Sequence, residues 1–433
     1  MKKKLLTLLI ATLSGIPFAY GENLLQVYQL ALENDPQLRA ARATRDSAFE
    51  AKPQAQAALR PNVSLSGNAN HINSDVKGAS GDTYNYNSSQ LKLNLSQPIY
   101  HREYWIQQEQ ADKRVAQAEV QYSAEEQGLI FRVSQAYFDV LSAQDRLEFA
   151  KAQNAAIGRQ LEQSKQRFEV GLIAITAVHE AQAAYDQSRA DLIQAENTLD
   201  NSWETLWEIT MTPVNTISPV IDELPLSRPE PESPEQWGEA AQKQNLSLQA
   251  AIYGVDITRQ AIEVNRSGHY PTLDLVGGHA FDRTGSPSGS DADNTSIGLQ
   301  LNVPLYAGGG VSSKVRQAQF DYEAAQENLD KQRRSVNRQV RNAYRGVIAG
   351  ISSVEALKAS TISAQSALEA TEAGFEVGTR TMVDVLNAQR DLFQAMSNYA
   401  TVRYNYVLSG LELKQAAGTL SEEDLVQVNS WLK

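Results

Sequence analysis

Two segments of this chain carry the same helical pattern at a fixed separation. The first reads VSQAYFDVLSAQDRLEFAKAQNAAIGRQLEQSKQRFEVG at positions 133–171, and the second reads VRNAYRGVIAGISSVEALKASTISAQSALEATEAGFEVG at positions 340–378, which is 207 positions later. Within each segment, apolar and small residues recur at alternating steps of three and four, the spacing that keeps one seam of a helix against a partner helix. A duplication of this size predicts two copies of one structural unit.

Each segment ends in the tetrapeptide FEVG, at 168–171 and again at 375–378, and a second helical seam follows. A glycine at this place closes a helix in the left-handed conformation, and we expect Thr176 and Thr381 to cap the helices that follow. The pattern therefore predicts two antiparallel helical hairpins. The glycines at their tips are Gly171 and Gly378.

The distribution of proline permits very long helices. All 14 prolines lie outside 99–212 and 305–433, and a proline inside a helix would break it. A helix of this length measures about 100 Å at 1.5 Å per residue, more than a globular domain needs. The predicted helices span about 101–168, 176–210, 311–375 and 381–417.

Before each long helix the pattern changes to alternating apolar and polar residues, which predicts strands. Apolar outer and polar inner faces suit a membrane barrel, although a half-buried strand of a soluble sheet has the same pattern. Four strands cannot close a barrel, so a membrane barrel would have to be shared between chains. The predicted strands span about 61–74, 84–98, 271–283 and 294–305. Pro304, Gly308 and Gly309 form a predicted strand-to-helix bend.

The ends of the chain and its composition indicate the compartment. Three lysines precede an apolar run at 5–16 and small residues up to Gly21, so we expect a signal peptide at 1–21, cleaved before Glu22. A transmembrane anchor is the alternative, but the run is shorter than the roughly 20 residues needed. The absence of cysteine excludes disulfides, and the net charge of -12 argues against a nucleic-acid partner.

The remaining organisation follows from these features. The first predicted repeat spans 22–212 and the second spans 238–433. Between them, 213–237 is rich in Pro, Ser and Glu, which suits either a collar around the helices or a flexible linker.

Five further stretches of the chain form a recognisable set: ENLLQVY at 22–28, RFEVGL at 167–172, PLYAGG at 304–309, VGTRTMVDVL at 377–386 and ATVRYNY at 400–406. Together they resemble the TolC-like outer-membrane efflux proteins, the channels of efflux pumps and of type I secretion. The resemblance covers nearly the whole mature chain. It implies a mostly α fold with a β-barrel contribution, in which a trimer forms a 12-stranded outer-membrane barrel continued by a 12-helix periplasmic α-barrel.

The same resemblance implies partners and a passive role. An inner-membrane pump of the resistance-nodulation-division, ABC or major-facilitator type and a periplasmic adaptor would dock at the tips around Gly171 and Gly378, and outer-membrane lipid would surround the barrel. Cargo would pass through the lumen without chemistry, so no cofactor, metal or catalytic residue is expected. The alternative is a soluble periplasmic coiled-coil adaptor or structural protein, which would lack the paired strand hairpins.

Residues at the second tip match the family's periplasmic gate. Arg380 matches a latch arginine, Asp384 matches an aspartate of a cation-attracting ring, and Thr176 matches a capping position near the latch. A solvated turn charge is the simpler role for Arg380. For Asp384 the local alternative is the capping box that Thr381 begins.

Three positions depart from the family's gate. Ala177 stands where an aspartate accepts the latch hydrogen bonds, Phe375 lacks a tyrosine hydroxyl, and Asn387 replaces a second ring aspartate. Fewer charge-assisted links should close this entrance. Three alternatives remain: His179 or Glu180 substitutes, the resting state opens more easily, or packing of the helical seams closes the entrance.

An enzyme is the competing class of protein, and the motifs argue against it. His179-Glu180 is followed at 183 by alanine rather than by the second histidine of a zinc protease. The glycines at 308–310 precede a helix but lack the Walker spacing to Lys314.

Overall fold

The computed structural model describes residues 21–75, 83–286 and 289–433. All but the last residue of the predicted signal peptide lies outside these ranges. Two compact units divide the described chain. The helical unit contains the described residues up to Pro36 together with Gln127–Gln236 and Val340–Lys433, and the strand unit contains Gln37–Glu126 and Trp237–Gln339.

The strand unit contains one antiparallel sheet of four strands in the order β1, β2, β3, β4. Each repeat supplies one hairpin, and the hairpins join where β2 pairs with β3, for example Leu95 with Gly277. Strands β1 and β4 are therefore the two edges of the sheet within one chain. The strands are β1 (Asn62–Asp75), β2 (Thr83–Tyr100), β3 (Thr272–Thr284) and β4 (Ala292–Asn302).

Apolar and polar side chains alternate along each strand, which gives the sheet one apolar face and one polar face. On the apolar face Leu65 is 66% exposed and Ile297 is 77% exposed, so no part of the described chain covers this face. On the opposite face polar side chains bond across the sheet, as where Gln90 Nε2 donates to Asp282 Oδ1 at 2.6 Å. Strand β4 ends at Asn302 rather than near 305, since Pro304 has no N–H to donate to a neighbouring strand.

Two helices are much longer than the others. Helix α4 has 68 residues and α8 has 67, and each contributes to both units. Helices α5 and α9 return antiparallel to them. Across the residues that the structure describes, none of the helices is both long enough and apolar enough to cross a membrane. The long helices are α4 (Arg102–Glu169), α5 (Ile175–Thr210), α8 (Gly310–Glu376) and α9 (Met382–Ala417).

Six shorter helices were not predicted from the sequence, because none has a long periodic seam. Three precede the first pair of strands and two precede the second pair, so the duplication extends beyond the elements that the heptads reveal. They are α1 (Leu24–Asn34), α2 (Pro36–Phe49), α3 (Ala51–Ala57), α6 (Pro234–Gln244), α7 (Leu246–Arg266) and α10 (Glu422–Asn429).

Contacts within the helical unit link its four long helices in series. Helix α5 contacts α4 where Asn154 Nδ2 donates to Ser188 Oγ at 2.9 Å. Helix α4 contacts α9 through the stacked rings of Phe138 and Tyr404. Helix α9 contacts α8 at Gly350, where an added Cβ would lie 3.5 Å from Tyr406. In the series α5, α4, α9, α8, helices α5 and α8 stand at the two ends, and α5 also contacts α9 directly where Ala181 packs in one apolar cluster with Met382.

The proline-rich segment between the repeats packs on the long helices. Its residue Val220 pairs with Leu432 in an antiparallel bridge, and the Tyr137 hydroxyl donates to the Ser218 carbonyl at 2.8 Å. Burial of this hydroxyl raises the pKa of Tyr137 well above its usual range. Through these contacts the proline-rich segment forms a packed collar rather than a free linker.

Candidate functional site at the hairpin tips

The tip between α4 and α5 has the hydrogen bonds of a Schellman motif. The Leu172 N–H donates to the Arg167 carbonyl at 2.8 Å, and the Gly171 N–H donates to the Phe168 carbonyl at 2.9 Å. Gly171 has φ 75°, a conformation that costs little only for glycine. The chain therefore reverses sharply, and Val170 and Leu172 stand exposed on either side of the glycine.

The tip between α8 and α9 repeats this geometry. The Thr379 N–H donates to the Gly374 carbonyl at 2.8 Å, and the Gly378 N–H donates to the Phe375 carbonyl at 3.1 Å. Gly378 has φ 80°, and Val377 beside it is exposed. The two helical hairpins thus reverse direction through the same backbone motif.

The helices that follow the tips begin differently. Thr381 is the N-cap of α9, and its hydroxyl and backbone N–H each bond to the Asp384 carboxylate at 2.8 Å. Helix α5 begins at Ile175 after Ala174, which offers no side-chain cap. The predicted capping role of Thr176 is wrong, because the N-cap of α5 is Ala174, two residues earlier, and Thr176 lies inside the first turn.

The Asp384 carboxylate is held in its ionised form. The backbone N–H and then the hydroxyl of Thr381 are the main causes that lower its pKa below the ordinary 3.8, and the charge of Arg380 contributes. Asn387 lies one turn further along α9 and is exposed. At the start of α9, Asp384 therefore supplies an ionised carboxylate, with a neutral amide one turn further along.

An apolar cluster joins all four long helices near the tips. Ala177 of α5 and Phe375 of α8, two of the positions that depart from the resemblance, both pack against it. Phe375 also packs against a second cluster centred on Val385. The buried members of the first cluster are Ile157, Leu161, Ala181, Met382 and Leu386.

Arg167 makes a further contact between the two hairpins. Its guanidinium carbon lies 4.9 Å from the centre of the Phe375 ring, within the range of a cation–π interaction. Sequence reasoning missed Arg167. The only sequence feature that could have indicated Arg167 is a difference between the repeats, since the equivalent position in the second repeat is Gly374.

Arg380 is not part of this contact. Its side chain is exposed and folds back against Gly374, where an added Cβ would lie 2.8 Å from the Arg380 Cγ. Within the described chain, its guanidinium has no hydrogen bond or salt bridge, and the side chains of His179 and Glu180 make none either. The structure therefore brings Ala177 and Phe375 to the same apolar cluster, to which neither Arg380 nor Thr176 belongs.

The predicted bend lies in the strand unit. Gly308 and Gly309 have φ 61° and 79°, and α8 begins directly after them. Next to them Leu305 and Tyr306 are almost fully exposed, which gives the connection from β4 to α8 an apolar surface.

Known proteins share this sequence and architecture. The family model described as "Outer membrane efflux protein" matches residues 27–210 and 237–419. The outer membrane protein TolC of Vibrio cholerae is 45% identical over 100% of this chain and 99% of its own length. The protease secretion protein PrtF of Dickeya chrysanthemi is 32% identical, over 100% and 95% of the two chains.

A solved structure shares the fold at low identity. The CmeC outer membrane channel of Campylobacter jejuni superposes with a TM-score of 0.80 and 18% identity, over 95% of this chain and 90% of that one. The expected fold class, two repeats of a strand hairpin and long helices, is confirmed. This chain belongs to the outer membrane efflux protein family and is a channel protein of the outer membrane.

Proposed function

We propose that three copies of this chain form a passive exit duct for cargo that an inner-membrane pump delivers. The observation that carries this proposal is a four-stranded sheet with two unpaired edges, continued by helices of about 100 Å. Family members are channels rather than enzymes, which agrees with a duct that does no chemistry of its own.

The assembly follows from the edges of the sheet. Unpaired N–H and C=O groups on β1 and β4 cannot face lipid, because nothing there would satisfy their hydrogen bonds. Pairing β4 of one copy with β1 of the next removes every edge when the ring closes. Two copies would give eight strands with a filled interior, whereas three give twelve and leave a passage. The exposed apolar face of the strands would then contact outer-membrane lipid.

The tips form the entrance of the proposed duct, and packing closes it. Ala177 and Phe375 support this role through the apolar cluster that they share, and Arg167 adds its contact with the Phe375 ring. Arg380 and Thr176, which the resemblance assigns to the latch, have a smaller part in closure here. Their side chains are free to bond to a neighbouring copy or to a docked partner.

Asp384 supplies the charge at the entrance. Three copies would place three ionised carboxylates around a narrow opening, where they attract cations. The neutral Asn387 on the next turn makes this ring weaker than the one that the resemblance implies.

The partners are a periplasmic adaptor and an inner-membrane pump. The apolar residues beside Gly171 and Gly378 are exposed in each tip and offer a docking surface for the adaptor. Drug efflux and protein secretion both remain functions of this duct, because the substrate is selected by the pump; the likeness to a protease secretion protein supports the second.

The mass of the detergent-solubilised protein tests the assembly. We expect three copies per particle after subtraction of bound detergent, and dissociation to monomers on heating. A particle of one or two copies that still conducts ions in planar bilayers would contradict the shared barrel.

A further inference from the structure

The outward face of α8 in the helical unit is charged at one end and neutral along the rest. Arg341 and Arg345 are exposed on the side opposite the buried Val340 and Val347. Neither arginine has a carboxylate partner in the described chain; Arg345 donates only to Asn342 of its own helix, at 2.6 Å. From there towards the tip, the same face carries small uncharged side chains: Ser352, Ala356, Ala359, Ser363 and Ala370.

The outward face of α5 carries the opposite charge. Asp200, Glu204 and Glu208 are exposed on the side opposite the buried Ala195 and Leu206. Within the residues that the structure describes, none of the three carboxylates has a salt bridge or a hydrogen bond. The end helices of the series α5, α4, α9, α8 therefore present unpaired carboxylates on one side of the unit and unpaired guanidinium groups on the other.

These charges lie at the same level above the tips. Arg345 precedes the end of α8 at Glu376 by 31 residues, or about 46 Å, and Glu204 follows the start of α5 at Ile175 by 29 residues, or about 44 Å. The two helix ends are themselves level, because Ala177 and Phe375 pack against one cluster. A neighbouring copy related by rotation about the tunnel axis keeps these levels.

We propose that the outward face of α8 docks on the outward face of α5 of the next copy, with Arg341 and Arg345 paired to the carboxylates of Asp200, Glu204 and Glu208. This inference rests on the proposed ring of copies and specifies which surfaces meet. A head-to-tail interface of this kind closes into a ring when the rotation allows it. Short side chains below the arginines let the two helix axes approach closely.

The charge pairs set the register of the interface. Individual pairs on an exposed surface contribute little stability, but complementary rows exclude wrong alignments, because a shift along the helix leaves like charges or neutral residues opposite each other. Without these charges, packing between the two helices would tolerate such a shift, because the rest of the outward face of α8 carries mostly alanine and serine. The row of arginines is therefore the part of the interface that fixes how far one copy slides along the next.

Charge exchange tests the pairing. We expect Arg341→Glu with Arg345→Glu to lower the temperature at which the trimer dissociates, and addition of Glu204→Arg with Glu208→Arg to restore it. Lys151→Glu with Arg159→Glu on α4 is the control, with the same change in charge on a helix inside the series. No loss from the α8 reversal, or no recovery with the α5 reversal, would overturn the pairing.

Chemical cross-linking tests the register directly, since the chain has no cysteine. A short bis-maleimide should join Arg345→Cys to Glu204→Cys between copies and give a covalent trimer on a denaturing gel. Arg345→Cys with Asp186→Cys is the control, because Asp186 lies about 27 Å lower on α5. A trimer that cross-links equally or not at all in both variants overturns this interface and leaves the duct standing, whereas a monomer in detergent overturns both.

Discussion

The two hairpin tips have the same backbone turn but different side-chain chemistry. The tip of α8 and α9 has a capped helix, an ionised Asp384 and an aromatic ring at Phe375. The tip of α4 and α5 has no side-chain cap; its Ala177 packs against the same apolar cluster as Phe375, and its Arg167 guanidinium contacts that ring. After duplication, one tip has gained the helix cap and the ionised carboxylate, and the other supplies the guanidinium that packs on its aromatic ring.

The largest effect is expected where a charge enters the apolar contact. Ala177→Asp places a carboxylate in the cluster beside Phe375, and an unsatisfied group of this kind costs about 1 to 3 kcal/mol. Its single-channel conductance in planar bilayers should rise. Addition of Phe375→Tyr supplies a hydroxyl donor and should lower the conductance again, and equal conductance in the single and double variants would show that the two positions do not meet.

The two tips should also differ in the local stability that their threonines contribute, with a smaller effect than that of a charge in the apolar cluster. Thr381→Ala removes an N-cap hydroxyl, which costs about 1 kcal/mol of local stability, whereas Thr176→Ala should cost less than about 0.5 kcal/mol because that hydroxyl caps nothing. Hydrogen exchange of the backbone amides in the first turns of α9 and α5 measures both. Equal acceleration in the two variants would remove the distinction between the tips.

Arg167 should matter modestly for closure. Replacement by glutamine removes a cation–π contact worth about 0.5 to 1 kcal/mol, which corresponds to a two- to fivefold larger open population. Lys165→Gln, a neighbouring exposed residue, is the matched control for the loss of one positive charge. The proportion of time spent open in single-channel records measures the change, and the same shift in both variants would point to charge rather than contact.

Asp384 should give the smallest change. Asp384→Asn should lower cation selectivity only modestly, because Asn387 already removes half of the implied ring. Thr381 lowers the pKa of this carboxyl, so selectivity should be lost as pH falls through that lowered pKa, and at a higher pH in Thr381→Ala. Reversal potentials in a salt gradient across the pH range measure this; identical titrations in wild type and variant would exclude the role of Thr381.

The predictable parts of the fold were those set by local sequence. Heptad seams and the absence of proline indicated the long helices, and Gly171 and Gly378 marked the turns, because only glycine adopts those angles cheaply. The box from Thr381 to Asp384 was readable for the same reason: its partners are three residues apart. The capping role predicted for Thr176 failed because the N-cap of α5 lies two residues earlier, at Ala174, within the usual uncertainty of a helix end.

Contacts between distant residues were not predictable. The ring of Phe375 meets the guanidinium of Arg167 across 208 positions of sequence, and no local spacing encodes that meeting. Resemblance to the family directed attention to Arg380 instead, because a latch built from hydrogen bonds is recognisable by residue type. Apolar packing at Ala177 and Phe375 carries no such mark until the helices are placed side by side.

The single-channel conductance of Phe375→Ala and of Arg380→Ala, recorded beside wild type, tests the central claim that packing around Phe375 closes the entrance. We expect Phe375→Ala to conduct more than wild type and Arg380→Ala to stay close to wild type. Phe320→Ala, which removes an exposed ring from α8 in the strand unit, controls for the loss of an aromatic side chain. A conductance that rises in Arg380→Ala and not in Phe375→Ala would show that Arg380, rather than packing around Phe375, closes the entrance.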